Sequence, residues 1–473
     1  MSAPTFAQNN PKLASLLERA KEMREQWGDK VRDASVTEIY SEASLIASRA
    51  VKRTRKIATN WDEKIDRILT SKIWGFPVML LLLMGVFWVT IKGANYPSQM
   101  IATGLFWLED QLEFLFTSIG SPTWFTGFFV HGVYRGLAWV ISVMLPPMAI
   151  FFPIFTLLED LGYLPRVAFN VDRVFKRAGA HGKQALSMAM GFGCNAAGVI
   201  STRIIDSPRE RLIAIITNNF MPCNGRWPTL IMLATIFVAA AFPAGIASIA
   251  AASSLVALTL FGIAVTLLVS WFLSRSVLKG HVSNFTLELP PYRKPRILQI
   301  LYTSMIDRTI FVLWRAIIMA APCGGLAWIL GNVYAGDQSL MAHIAGALDP
   351  LGKAIGLDGI ILLAYIIAIP ANEIVVPTIL MGYMNMDRMV EVENMEQLRH
   401  LLVVDQGWTI VTAISLMLFS LLHNPCSTTI LTIYKETKSI KWTAIATLLP
   451  LALAFLVCFI VAQTARLLFG IGS

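Results

Sequence analysis

Gly191-Phe192-Gly193-Cys194-Asn195 and Met221-Pro222-Cys223-Asn224-Gly225 each set a cysteine beside an asparagine within apolar sequence, at a break made by glycine or proline. A third stretch, His423-Asn424-Pro425-Cys426, repeats the idea near the C-terminus. In lipid, an unpaired carbonyl or polar side chain is costly, so such breaks persist only where protein or a water-filled cavity lines them. Thiol, amide and freed carbonyl oxygen together make a coordination set that suits a borderline-soft divalent metal. The pattern implies a transport site at membrane depth.

The rest of the chain agrees with that setting. Of 473 residues, 55% are hydrophobic and only 15% charged, too few charges to cover a soluble surface of this size. The class is therefore an all-α polytopic membrane protein in contact with the lipid bilayer. The net charge of +9 sits in basic clusters flanking apolar runs, which is the topogenic pattern of membrane proteins and not a nucleic-acid footprint. Five cysteines, four of them in or beside apolar runs, form no disulfide framework. The N-terminus is polar, the first apolar run starts near Ile73, and no cleavable signal peptide is read.

Residues 1–70 read as a cytoplasmic helical segment, with Leu13, Leu16, Leu17 and Ala20 at helical spacing. The run Lys52-Arg53-Thr54-Arg55-Lys56 reads as an anchor facing lipid headgroups. No G-x-x-x-x-G-K-[ST] loop occurs; Gly179-Ala180-His181-Gly182-Lys183 lacks both the spacing and the hydroxyl. No nucleotide site is expected in this chain, and any nucleotide control is assigned to another one.

Apolar runs mark spans at about 73–92, 134–158, 211–240, 243–274, 309–331, 406–433 and 443–465, with two interrupted stretches at about 185–205 and 359–380. Residues 96–118, carrying Glu109, Asp110 and Glu113, read as an amphipathic helix on the outer surface. Basic residues crowd 49–72, 166–183, 275–308 and 435–441, whereas acidic ones dominate 109–113, 337–358 and 387–405. By the positive-inside rule the interrupted stretches then become re-entrant from opposite sides. The expected count is about seven full spans plus two re-entrant segments.

An internal repeat follows. Tyr134-Arg135 opens one unit and Trp314-Arg315 the other, and each continues through an acidic turn (Asp160-Leu161-Gly162; Asp349-Pro350-Leu351-Gly352). Gly193-Cys194-Asn195 is paired with Ala371-Asn372-Glu373, and Pro222-Cys223-Asn224 with Pro425-Cys426-Ser427. Starting on opposite sides, the repeats are inverted, the architecture of alternating-access transporters. The division is 1–70, a first span and outer helix at 71–130, a first repeat at 131–275, a cytoplasmic linker at 276–308 and a second repeat at 309–473.

The candidate metal ligands are Cys194, Asn195, Cys223, Asn224, Glu373 and Cys426. Helices ending at Gly193 or Pro370 aim the negative ends of their dipoles into the gap. Metal binding would draw thiolate from the cysteines. Glu373 is the one carboxylate in an interrupted stretch and is costly there unless paired or metal-bound. Cys323 and Cys458 read as packing residues, Asn218 and Asn219 as bonds across helices, and Arg135 and Arg315 as anchors or partners of acids. No nucleophile–base pair or hydrolytic motif can be assembled, so no enzyme is expected.

Asp66-Arg67-Ile68-Leu69 with Gly75-Phe76-Pro77, Leu158 to Arg166, the Gly191–Asn195 segment, Thr202-Arg203, Arg209-Glu210-Arg211, Pro222-Cys223, Pro370-Ala371-x-Glu373 and Pro425-Cys426 resemble the membrane domain of bacterial ferrous iron transport protein B. The likeness runs from about residue 60 to the end. It implies paired inverted gate repeats and ferrous iron import across the bacterial inner membrane. Since the family's usual N-terminal GTPase domain is not read here, the chain looks like a stand-alone permease, working either with a separately encoded GTPase and a small SH3-like accessory protein or without them. Three positions depart from the family's habit. Ala196-Ala197 stand where Val-Pro is common, Asn224-Gly225-Arg226 where Ser-Ala-Arg is frequent, and Asn372 where Lys is common. These leave Mn2+ open beside Fe2+ as the transported ion. Two alternatives stay open, a permease for nucleosides or other small solutes and a membrane scaffold recruiting a GTPase. Homo-oligomerisation is also open.

Overall fold

In the computed structural model of the chain, the residues described are 61–71, 73–180, 182–278, 292, 295–386, 388–389 and 395–469, with 15, 18, 19, 22, 35 and 38–50 nearer the N-terminus. The chain divides into two units, 1–64 with 284–286, and 65–283 with 287–473. In the first, residues 38–50 are helical and exposed. The basic run at 52–56 and the linker residues 279–291 lie outside the described residues. All that follows concerns the second unit.

Among its described residues the regular secondary structure is helical apart from the short antiparallel pair Tyr334–Ala335 and Gln338–Ser339. Among them, six helices are long and apolar enough to cross a membrane: 75–118, 123–160, 246–275, 312–332, 410–437 and 440–468. A seventh is counted only if Leu340–Ala354 and Gly359–Ile367, bent by 110° at their junction, are taken as one. The expected run at 211–240 is split between two shorter helices.

The first helix, α1 (Gly75–Ser118), has 44 residues. At 1.5 Å per residue it is about 66 Å long, roughly twice the hydrocarbon thickness. The expected outer-surface helix at 96–118 is therefore no separate element but the continuation of the first span. One of its acids does not face water as assumed, although Asp110 is exposed and the Glu113 side chain is 43% exposed. Glu109 is 1% exposed, because Arg135 Nη1 donates to both of its oxygens at 3.0 Å and His131 Nδ1 lies 3.0 Å from Oε1. The Tyr134 hydroxyl also donates to the Leu105 carbonyl, at 2.9 Å.

The first repeat continues through α2 (Arg135–Asp160), α3 (Tyr163–Arg177), the broken pair α4 (Gln184–Gly193) and α5 (Asn195–Ser201), the broken pair α6 (Pro208–Thr217) and α7 (Trp227–Leu233), and α8 (Ala244–Arg275). The second runs α9 (Phe311–Asn332), α10 (Leu340–Ala354), α11 (Gly359–Ile367) with α12 (Val375–Met384), α13 (Ile410–Leu422) with α14 (Ser427–Thr437), and α15 (Ile440–Phe469). The N-termini of the corresponding helices α6 and α13 are both capped. Ser207 accepts from Glu210 N with Pro208 in the first turn of α6, and Thr409 and Thr412 cap α13 reciprocally.

The opening spans of the two repeats cross at glycines. A Cβ at Gly136 would lie 2.9 Å from Gly324 Cα, and one at Gly324 would collide with the Gly132 carbonyl. Small residues let the two backbones touch where apolar burial gives no drive between helices.

Backbone angles correct the repeat register by one residue. Cys194 (φ −153°, ψ 124°) and Ala371 (φ −147°, ψ 106°) are the matching extended residues, so Asn195 corresponds to Asn372 and not to Glu373. The second break also starts earlier, since α11 ends at Ile367 whereas α4 runs to Gly193. The paired acidic turns do not correspond either. Asp160 to Gly162 joins α2 to α3, with Gly162 at φ 81°, whereas Asp349 to Gly352 lies inside α10. Lys353 pairs with Asp349 one turn away, at 2.7 Å, and helps continue that helix past Pro350.

Candidate functional site

The breaks are joined by their own backbones, in the same manner in each repeat. Asn224 N donates to the Gly193 carbonyl at 3.2 Å, and Ser427 N donates to the Ile369 carbonyl at 2.8 Å. Each re-entrant break is thus stitched to the broken span of its own repeat, and carbonyls freed by the missing helical turn find donors. Trp139 Nε1 ties the first repeat to the second by donating to the Glu373 carbonyl, at 3.2 Å.

Between the stitched breaks lies a cavity of about 30 Å³. All six residues singled out from the sequence, Cys194, Asn195, Cys223, Asn224, Glu373 and Cys426, line it. The wall is completed by Met144, Val312 and Ala316 from the spans, by the breaks' own Gly193, Gly225, Pro370, Ala371 and Asn372, and by Thr428. Cys194, Cys223 and Glu373 are each 9% exposed. Cys426 Sγ lies 3.3 Å from Thr429 Oγ1. The Glu373 carboxylate packs against Gly225, where any Cβ would collide with it. Among the described residues, no three His, Cys, Asp or Glu side chains converge closely enough to hold a metal ion. The sulfur and oxygen donors therefore share one cavity without forming a closed cage.

Sequence reasoning missed the group that organises the break. Arg226 is 1% exposed, and its guanidinium donates to four carbonyls: Asn219 at 3.0 Å, Leu421 at 2.7 Å, His423 at 3.1 Å and Asn424 at 3.4 Å. These sit at the C-terminal ends of the helical segments before the two Pro-Cys breaks, so one cation satisfies the negative ends of both. Its charge lies in the same buried region as the thiols. The available signal was an arginine three residues past Cys223 in otherwise apolar sequence.

The secondary expectations are met in detail. Asn218 Nδ2 donates to Asn195 O at 3.0 Å, and Asn219 Nδ2 to Ala446 O at 3.0 Å. Arg135 pairs with Glu109 and also donates through Nε to Met389 O at 2.5 Å, while Arg315 Nη1 donates to Thr432 Oγ1 at 3.4 Å. Cys458 is fully buried, with Sγ 3.3 Å from Ser415 O, and Cys323 is buried in α9. A further link joins the repeats, as Arg203 donates to both oxygens of Glu436 at 2.9 and 2.6 Å.

Comparison with known proteins gives the setting. The family described as nucleoside recognition, Gate, matches residues 141–239 and 313–440, and the one described as ferrous iron transport protein B C terminus matches 255–307. The "Fe(2+) transporter FeoB" of Staphylococcus aureus (strain MSSA476) is 29% identical over 423 residues, covering 86% of this chain and 60% of that protein. The one from Campylobacter jejuni is 26% identical over 435 residues, covering 89% and 68%. A Porphyromonas gingivalis protein named as a fusion of Fe(2+) transport protein A and Fe(2+) transporter FeoB is 28% identical over 452 residues, covering 86% and 52%. The chain thus spans about 60% of the length of the first of these relatives. No solved structure matches it. With two Gate stretches and that C-terminal region between them, the chain is similar over most of its length to the membrane part of ferrous iron transport protein B.

Proposed function

We propose that the chain is a multi-pass permease for divalent metal ions, with Fe2+ its principal cargo, acting in the bacterial inner membrane. The observation that carries this reading is the meeting of helix breaks from both repeats on one cavity bearing three thiols and one carboxylate. Relatives named as Fe(2+) transporters support the choice of ion. The ion would be held by Cys194, Cys223, Cys426 and Glu373, with Asn195 and Asn224 as neutral donors, and pass by rocking of one inverted repeat against the other. The domain division given above stands on the same reading, corrected at 71–130, where span and outer helix are one.

The cavity volume weighs against the nucleoside alternative. At about 30 Å³ it suits a bare or singly hydrated ion, whereas small-molecule pockets run to roughly 300 Å³ and above. The reading assigns no reaction to the chain. A separate accessory protein fits the Porphyromonas gingivalis fusion, and a GTPase acting in trans remains part of the proposal.

The test is uptake into proteoliposomes containing this chain alone, offered Fe2+ anaerobically and then Mn2+ and Zn2+. Saturable uptake, abolished in folded Cys194→Ser and Glu373→Gln, is expected. Normal uptake by both variants would remove the site. No flux of any metal, even with a GTPase supplied, would remove the permease reading.

A further inference from the structure

The cavity's two asparagines at matching repeat positions, Asn195 and Asn372, each have an acceptor placed behind them. Consider His423 first, 2% exposed and without access to water. Its Nδ1 lies 2.9 Å from the Ser420 carbonyl and 3.2 Å from that of Phe419. Carbonyl oxygens only accept, so Nδ1 carries a proton and donates to them. Its Nε2 lies 3.3 Å from the side-chain position assigned as Asn372 Oδ1, and amide oxygen and nitrogen are interchangeable by a half-turn. A ring protonated at both nitrogens would bury a second cation beside Arg226, which already donates to the His423 carbonyl. The ring is therefore neutral and Nε2 accepts. The amide group of Asn372 facing it must be the NH2, which turns the oxygen to the other side. Asn372 lines the cavity, and that second amide position makes no other hydrogen bond among the described residues.

The first repeat shows the same logic with different residues. Asn218 Nδ2 donates to the Asn195 carbonyl, which fixes Asn218 Oδ1 as an acceptor. That oxygen is buried and unpartnered, and so is the Asn195 side-chain position built as Oδ1. Both face one gap, since a Cβ on Gly191 would lie 2.8 Å from the former and 3.4 Å from the latter. Two acceptors facing one dry gap are unfavourable. A half-turn of the Asn195 amide points its NH2 at Asn218 Oδ1, relieves both orphans and presents the Asn195 oxygen to the cavity it lines.

We propose that Asn195 and Asn372 are a matched pair of oxygen ligands for the transported ion, held oxygen-inward by Asn218 and His423 as positioning residues. The proposal rests on the permease reading and completes its ligand set. Neutral oxygens add donors without adding negative charge. They also shift preference from thiophilic ions such as Zn2+ toward Mn2+ and Fe2+. A partner behind a ligand that fixes its orientation is the usual arrangement around metals.

Two experiments on the full chain test it. The first is 15N NMR of its histidine side chains in lipid, with the His423 signal assigned by its loss in His423→Gln. A neutral ring protonated at Nδ1 is expected, and protonation at Nε2 overturns the orientation of Asn372. The second is uptake by Asn372→Leu, His423→Phe and His423→Gln. Asn372→Leu and His423→Phe should raise KM for Mn2+ and Fe2+ by about tenfold to a hundredfold, with a smaller change for Zn2+. His423→Gln, which restores an acceptor, should recover most of it. Wild-type uptake of Fe2+ with an unchanged KM in Asn372→Leu would overturn the ligand assignment alone. Absence of uptake by wild type would instead defeat the permease reading and leave the ring protonation to judge the orientation.

Discussion

Replacing Arg226 by methionine keeps the volume of the side chain and removes every donor it carries. Four carbonyls then lose their partner, two of them held at 2.7 and 3.0 Å in wild type, in a region closed to water. Hydrogen bonds from a charged donor are worth roughly 1.5–3 kcal/mol each, but desolvation of the guanidinium offsets much of their sum. Breaking such a buried network costs about 3–5 kcal/mol, a large share of a typical folding stability. Arg226→Lys keeps the charge but not the planar fork, so the ammonium reaches fewer of the carbonyls and an intermediate loss is expected. The assay is equilibrium unfolding in mixed micelles followed by tryptophan fluorescence, with maleimide labelling of Cys223 and Cys426 as a local probe. Labelling should rise in Arg226→Met because both Pro-Cys breaks lose their common anchor. If Arg226→Met unfolds within about 1 kcal/mol of wild type and its cysteines stay protected, the argument that one cation holds both breaks is wrong.

Three further outcomes follow from the geometry. Gly225→Ala forces the Glu373 carboxylate aside and should raise KM for Fe2+ uptake by about tenfold to a hundredfold while the protein still folds; an unchanged KM would show that Glu373 does not bind the ion in this position. The Arg203–Glu436 pair is 64% and 11% exposed, so its coupling in a double-mutant cycle should not exceed about 1 kcal/mol; a larger value would mark a buried latch instead. Burial works to raise the Asp66 pKa, but hydrogen bonds from Arg166 and Tyr292 more than offset it and hold the carboxyl below its ordinary 3.8. A depressed folded-state value stabilises above the unfolded pKa and is lost as pH falls through the folded one. Asp66→Asn should thus lower the melting temperature at neutral pH, with the gap to wild type closing below pH 3.8; a gap that does not change with pH would remove the carboxylate from the account.

What could be read from the sequence was whatever a residue announces by itself. Cysteine beside glycine or proline, with asparagine within two residues, marks a broken helix in three stretches, whereas Pro322-Cys323-Gly324, without the asparagine, stays within α9; all six singled-out residues reach one cavity. What could not be read depended on distant partners. Glu109 and Glu113 resemble a wet helix face until Arg135 and His131 are brought against them from another element. The repeat register was set one residue off because Gly-Cys-Asn matches Ala-Asn-Glu by size and polarity, and only the shared extended geometry of Cys194 and Ala371 separates the two alignments. Asn372 was noted for the charge it lacks, since nothing local says which way an amide turns. That is decided by His423, 51 residues along the chain.

The loose ligand set is itself informative on the permease reading. A structural site is expected to close on its metal with three or four converging side chains, whereas here no three such groups converge among the described residues. Conduction needs binding favourable enough to admit an ion and weak enough to release it. The cavity meets both requirements through the elements that carry its donors. Cys194 and Cys223 belong to the first repeat and Glu373 and Cys426 to the second, so any relative movement of the repeats alters the distances among donors together. The small volume supplies the complementary constraint, because a cavity of about 30 Å³ cannot shed its ion by letting in a full hydration shell. Release must then come from separation of the two halves. Trp139–Glu373, Arg203–Glu436 and the hydrogen bonds that Arg226, Asn219 and Arg135 donate to carbonyls of the second repeat are among the contacts that separation has to break.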